Sequence, residues 1–458
     1  MTVKRILIAN RGEIAVRIVR ACNAVGVESV LACSDADRET LAARIADRVV
    51  CIGPAQATQS YLDQEAIIAA ALGTGCDALH PGYGFLSERA AFRRLCDEAG
   101  IVFVGPQADA ISAMGDKLTA LRIAKAHDVP TIPGCEELKS AADASEAAKL
   151  IGLPVMLKAS AGGGGRGMRI VRSLDDIEAA FVSASTEARA AFGDGTLYME
   201  KYVERGRHIE VQVFGDTQGQ IVHLGERDCS VQRRHQKLIE EAPSPAITPA
   251  IREALTASAL RLARAARYTG AGTVEFIFDD ESSSFYFLEM NTQIQVEHPV
   301  TEAITGIDLV AEQIRVAGGA ALSFCQEDVT LSGHAIECRI NAEDPLHGFS
   351  PCPETLTEWV APSTLSARLD SHCYPGYTIP PYYDSMIGKL ITHGGDREQA
   401  IERMLAAIDT MRIAGTRTTL AFSRAIVDSG PFRRADVTTG WLESEFLPRY
   451  LKSAETTS

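Results

Sequence analysis

Between residues 5 and 105, short apolar runs recur at 5–9, 29–33, 49–52, 77–80 and 101–105. The stretches between them, such as 64–72 and 87–98, carry helical periodicity. Apolar strands alternating with helices are the pattern of a parallel sheet whose two faces are covered by helices. The first run leads through Asn10, Arg11, Gly12 and Glu13 into a helix with Ile14, Ile18 and Val19 on one face.

The rhythm changes near Ala113. Met114, Gly115, Asp116 and Lys117 start a helix, and the segment 129–134 reads as an extended connector because each proline disfavours helix before it. From 155 to 290 the strands carry turns and glycine-rich loops, with one clear helix around 251–268, so this part reads as α+β. A further unit begins near Leu331 with a strand at 335–340. The expected division is 1–113, 114–330 with a subdomain at about 131–203, and 331–447. A polar tail follows at 448–458, frayed beyond Leu451.

Composition narrows the function. With 458 residues, 46% of them hydrophobic and 23% charged, the chain matches a soluble globular protein of several cores. No apolar run approaches the roughly 20 residues that span a bilayer, and the opening run is too short for a secretion signal. No membrane partner is expected. A net charge of −15 argues against nucleic acid. Of the 11 cysteines, the closest pair, Cys22 and Cys33, is 11 positions apart, so no CxxC pair exists and reduced thiols in the cytoplasm are expected.

The most specific local signal starts at Leu157 and Lys158, a strand end that runs through Gly162, Gly163, Gly164 and Gly165 to Arg166, Gly167 and a second strand at 168–171. Glycines let successive N–H groups approach a phosphate without interference from Cβ, and Lys158 adds a positive charge. The segment is not GxxxxGK[ST], and it joins strand to strand rather than strand to helix, so it is neither a P-loop nor a dinucleotide fingerprint. It reads as a phosphate flap; a flexible hairpin linker is the plainer alternative.

Two apolar strands, 273–278 and 285–291, carry conspicuous acids. Glu289 and Asn291 are two apart and share a sheet face. With Glu275 they offer the oxygen ligands that Mg²⁺ or Mn²⁺ takes beside substrate phosphates; a solvated edge strand is the plainer reading. A third cluster, Gln232, Arg233, Arg234, His235, Gln236 and Lys237, packs three cations, a histidine and glutamines into six residues of an acidic chain. It suggests an anion site, against the default of a solvated charged loop.

At this point the sequence resembles the biotin carboxylases, the ATP-grasp components of acetyl-CoA carboxylase and related biotin-dependent carboxylases. The matching motifs run in order along nearly the whole chain: 10–15 (NRGEIA), 80–88 (HPGYGFLSE), 114–117 (MGDK), the glycine flap, 226–237, 296–302 (VEHPVTE) and 382–389 (YYDSMIGK). The resemblance implies an N-terminal parallel-sheet (pre-ATP-grasp) domain, a central ATP-grasp domain with its flap, and a biotin carboxylase C-terminal domain. It assigns Lys117, Lys158, Gly164 and Gly165 to ATP phosphates, Glu200, Lys201 and Val203 to the adenine side, and His208, Gln232 and His235 to the nucleotide. Glu275, Glu289 and Asn291 would hold two Mg²⁺ or Mn²⁺. Lys237, Gln295, Val296 and Glu297 would line the bicarbonate pocket, with Glu297 as base, Arg339 stabilising the biotin enolate and Tyr83 in the substrate site.

The chain departs from the family at Gln293, where the pattern has its active-site arginine. A permanent cation with a bidentate fork is replaced by a neutral amide. The implied reaction is attack of bicarbonate on the γ-phosphoryl group of ATP, giving carboxyphosphate, which releases CO₂ to N1′ of biotin. No Ala-Met-Lys-Met biotinylation motif is present, so biotin is expected on a separate carrier protein, with a carboxyltransferase beyond it and a homodimer as the assembly. Gln293 keeps two alternatives open: an ATP-grasp carboxylase with a non-biotin acceptor, or a weakly active ATP-binding subunit.

Overall fold

The computed structural model describes residues 3–159, 168–192, 194–363 and 367–455. The expected flap glycines, Gly164 and Gly165 among them, lie outside the described residues. Two compact units emerge, one of 1–129, 207–276 and 288–458, the other of 130–206 and 277–287.

In the first unit, five parallel strands form a sheet: β1 (Arg5–Ile8), β2 (Glu28–Ser34), β3 (Arg48–Gly53), β4 (Ala78–His80) and β5 (Val102–Phe103), in the order β3-β2-β1-β4-β5. Ile6, Leu7 and Ile8 are fully buried because helices cover both faces. Helix α1 (Gly12–Val25) follows β1 directly and ends at Gly26, whose φ of 73° supplies a left-handed cap. The alternation predicted from the apolar runs is thus present. The helix expected to begin at Met114 begins later: Met114 and Gly115 close one helix, Ala108–Gly115, and α2 (Lys117–Ala126) opens behind Asp116, whose carboxylate accepts the Thr119 N–H at 2.8 Å. The cap residue, rather than the apolar Met114, sets the boundary.

In the second unit, β6 (Gly134–Leu138), β7 (Val155–Ala159), β8 (Arg169–Val171) and β9 (Leu197–Lys201) make an antiparallel sheet in the order β6-β9-β7-β8. Val155, Leu157, Leu197 and Met199 alternate inward onto the helix Ala141–Ile151 and a second helix over Ile177–Phe192.

The largest sheet has eight strands. Its members are β10 (Gly206–Gly215), β11 (Ile221–Arg233), β12 (Gln236–Ala242), β13 (Gly270–Asp279), β14 (Ser284–Asn291), β15 (His334–Asn341), β16 (Ala367–Ser371) and β17 (Met386–Gly394). Their order is β14-β13-β10-β11-β12-β15-β17-β16. One part of its core holds Ile336, Cys338, Leu390, Ile401 and Met404. Among the described residues no helix is long and apolar enough to cross a membrane, and all 11 cysteines are free thiols.

Candidate active site

Antiparallel register assembles the site. Glu240 on β12 stands opposite Glu337 on β15, and Arg339 on β15 stands opposite Lys389 on β17. Glu337 and Arg339 are two residues apart, so the four ionisable groups share one face of the sheet. Acid therefore faces acid and base faces base straight across, and the attractive contacts run diagonally: Arg339 Nε donates to Glu240 Oε1 at 2.6 Å.

Glu297 lies before the helix His298–Thr305 and is 2% exposed. Its two oxygens are held separately: Lys237 Nζ is 2.6 Å from Oε1 and Arg339 Nη2 is 2.9 Å from Oε2. Burial alone would raise the Glu297 carboxyl, but Lys237, Arg339 and Arg227 outweigh it and hold it far below the usual carboxylate range. Lys237 also donates to Glu210 at 2.5 Å and Glu275 at 3.1 Å. Burial works against its ammonium, and Glu210, Glu297 and Glu275 reverse that, so it stays charged.

Below these groups sits Arg227, fully buried. Its guanidinium reaches Glu210 at 2.5 Å, Gln212 at 2.7 Å, Thr301 at 2.9 Å, and Thr273 and Gln295 at 3.1 Å. Such a buried cation persists only where every donor finds a partner. Gln295 in turn donates to Glu275 Oε1 at 3.0 Å, and Asn291 donates to the same oxygen at 2.8 Å. Val296 offers its carbonyl to Lys389 Nζ at 2.6 Å, and Lys389 is 3.2 Å from Glu13. Tyr83 donates its hydroxyl to Glu13.

The donors of the acidic wall suit a divalent ion. Glu275, Glu289 and Asn291 offer hard oxygen ligands on adjacent strands. Glu289 is exposed as a residue, yet the surrounding protein and the neighbouring Glu275 raise its carboxyl, while Lys117 at the start of α2 opposes them. That mutual repulsion favours a cation between the two acids. His208 Nε2 lies 3.0 Å from Glu275 Oε2 without the alignment of a hydrogen bond, and with Glu210 these groups form another close set of potential ligands. A further set, Glu210, Cys229 and Glu297, does not fit a metal: Arg227 and Lys237 already neutralise its acids, and burial pushes the Cys229 thiol well up.

The remaining expected residues separate. Gln232 is buried opposite Lys237, while His235 is exposed in the turn after β11. In the second unit Lys158 is ion-paired with Glu200, Lys201 Nζ donates to the carbonyls of Leu153 at 2.7 Å and Gly152 at 3.1 Å, and Val203 is half-buried. Gln293 turns its amide oxygen toward Gly84 N and Ser87 Oγ. Glu210, Arg227, Glu240, Glu13 and Lys389 were absent from the expected site. Glu210 had a signal, since it lies two residues from His208 on one strand, and Glu13, Arg227 and Lys389 fall inside matched motifs.

Comparison with known proteins gives a consistent result. The model described as "Biotin carboxylase, N-terminal domain" matches residues 2–111, that for the "Carbamoyl-phosphate synthase L chain, ATP binding domain" matches 116–325, and that for the "Biotin carboxylase C-terminal domain" matches 337–444. The biotin carboxylase of Nostoc sp. is 52% identical over 97% of this chain and 99% of its own length. Biotin carboxylase 1 of Bacillus subtilis is 50% identical over 96% of this chain and 98% of its own length. Among solved structures, biotin carboxylase of Campylobacter jejuni in an ATP complex superposes with a TM-score of 0.89 at 48% identity, covering 96% of this chain and 98% of that one. The biotin carboxylase domain dimer of the Hydrogenobacter thermophilus 2-oxoglutarate carboxylase, with MgADP, ADP and bicarbonate, gives 0.88 at 46%, covering 97% and 98%.

Proposed function

This chain belongs to the biotin carboxylase family and is an ATP-dependent ligase of that type, and from this premise we propose how its residues carry the carboxylation of biotin. The observation that carries the proposal is the grip of Lys237 and Arg339 on the two oxygens of Glu297. A carboxylate so held is anionic across the neutral range and carries no proton of its own. It accepts the bicarbonate proton only as the bicarbonate oxygen attacks the γ-phosphorus of ATP and the bond to ADP breaks. Lys237 then shares its charge with the forming carboxyphosphate. Arg339, released from Glu297 on that side but still tied to Glu240, faces the ureido oxygen of biotin as carboxyphosphate breaks into CO₂ and phosphate, the phosphate takes the N1′ proton, and N1′ attacks the CO₂.

Glu275, Glu289 and Asn291 would hold Mg²⁺ or Mn²⁺, two ions in the full complex, which neutralise phosphate charge when bound. Lys117, Lys158, Glu200, Lys201, Val203, His208, Gln232 and His235 serve the nucleotide in this reading, with Gly164 and Gly165 assigned to its phosphates. The division into 1–113, 114–330 and 331–447 follows the same scheme.

The biotin travels on a carrier protein, and a carboxyltransferase passes the carboxyl group onward, to acetyl-CoA or a related acceptor. A homodimer is supported by the dimer of the Hydrogenobacter domain, and the free thiols support a reducing cytoplasm. Labelled bicarbonate tests the reading: with ATP and Mg²⁺ the purified chain should transfer label to biotin as N1′-carboxybiotin, trapped as its methyl ester. ATP cleavage with no label on biotin would sink it.

A further inference from the structure

Position 293 is where this chain loses a cation, and its structure shows what the amide does there. Gln293 Oε1 lies 2.7 Å from Gly84 N and 2.5 Å from Ser87 Oγ. A backbone N–H can only donate, so the atom facing Gly84 must be the oxygen, which fixes the orientation of the amide. The Ser87 hydroxyl has one proton and two acceptors within reach, Gln293 Oε1 and Gly84 O at 2.6 Å.

The turn so held is a demanding one. Gly82, Gly84 and Phe85 have φ of 63°, 67° and 41°, left-handed conformations that cost a residue such as Phe85 stability unless neighbours enforce them. Asn10 Nδ2 fastens one side through Pro81 O at 2.6 Å and Tyr83 O at 2.7 Å. The segment around Gln293 fastens the other, because Thr292 N–H also reaches Glu88 Oε1 at 2.7 Å. Between the fastenings, Tyr83 lines a cavity of about 150 Å³ with Asn10, Glu13, Phe85, Asp384 and Met386; its partner Glu13 is held by Lys389, which stands opposite Arg339, the residue read as facing biotin.

We propose that Gln293 is a positioning residue for the biotin side of the site, an acceptor that clamps the turn bearing Tyr83 rather than a contact for bicarbonate. Arginine carries five donors and no acceptor, so it cannot occupy this post; residue 293 either clamps the turn or faces the anion. The bicarbonate pocket then relies on Lys237 and Arg339 for its cations, both set against Glu297. The proposal rests on the biotin carboxylase reading.

Steady-state kinetics with free biotin test it in three variants: Ser87→Ala, Gln293→Met and Gln293→Arg. Loss of one neutral hydrogen bond should raise the KM for biotin about three- to tenfold in each. Ser87→Ala should leave biotin-independent ATP cleavage and the KM for bicarbonate unchanged. In the double variant Ser87→Ala/Gln293→Met, the two effects should be less than multiplicative, which a general loosening of the fold would not produce. A bicarbonate KM that rises in Gln293→Met and falls in Gln293→Arg, with the biotin KM unmoved, would overturn the proposal. Absence of any biotin stimulation in the unmodified chain would instead remove the premise, and the proposal with it.

Discussion

Arg339 binds Glu240 through one carboxylate oxygen: its Nε is 2.6 Å from Oε1, while Oε2 is buried and finds no hydrogen-bond partner among the described residues. Burial pushes the Glu240 carboxyl up from 4.5 to about 7, with Arg339 opposing the shift and Glu297 reinforcing it. The folded form thus holds its proton where the unfolded chain has lost it. Stability tied to Glu240 is complete below about 4.5 and is lost as pH rises through about 7. Glu240→Gln removes the titration. Thermal midpoints of the variant and the unmodified chain, compared at pH 5 and pH 8, should show the variant gaining by several degrees at the higher pH; parallel curves would contradict this assignment.

Glu289 is the open member of the acidic wall, so Glu289→Gln disturbs the buried network least. Loss of its charge should weaken divalent binding at least about tenfold. Mn²⁺ titration followed by electron paramagnetic resonance, with ADP present, reads the affinity apart from turnover. Equal affinity in both proteins would remove Glu289 from the metal set.

Arg227 makes no contact with substrate in this account, yet it supports Glu210, which holds Lys237. Arg227→Met leaves Glu210 short of its buried partner, and breaking such a pair costs about 3–5 kcal/mol. A large fall in the thermal midpoint, or failure to accumulate as soluble protein, is expected. A midpoint within a degree or two of the unmodified chain would show that the network adjusts without it.

Much of this arrangement could be read from the sequence where chemistry and spacing coincide. Alternating apolar runs marked the parallel sheet, Lys237 and Glu297 stood in motifs whose order identified the family, and the resemblance those motifs carried assigned Arg339. For the residues that were missed, even those inside matched motifs, what the sequence left unread is the partner. Glu240 meets Arg339 across 99 positions of sequence, and Arg227 meets Thr301 across 74. Strand register brings the first pair together, and the helix His298–Thr305 carries Thr301 to Arg227 in the second; no local period announces a buried group whose partner lies on a distant element. At Gln293 the sequence exposed the missing charge but not the acceptor role, because Gly84 N–H becomes a partner only once the left-handed turn at 82–85 is formed. The helix start at Lys117 likewise went to the capping carboxylate of Asp116 rather than to the apolar pattern.

Bicarbonate-dependent ADP release by the purified chain with Mg²⁺, measured with and without free biotin and beside Gln293→Arg, tests the central claim most directly. Biotin should stimulate release in the unmodified chain, since Lys237, Glu297 and Arg339 are assembled there without an arginine at 293. Release that ignores biotin, or that appears only in the variant, would contradict it.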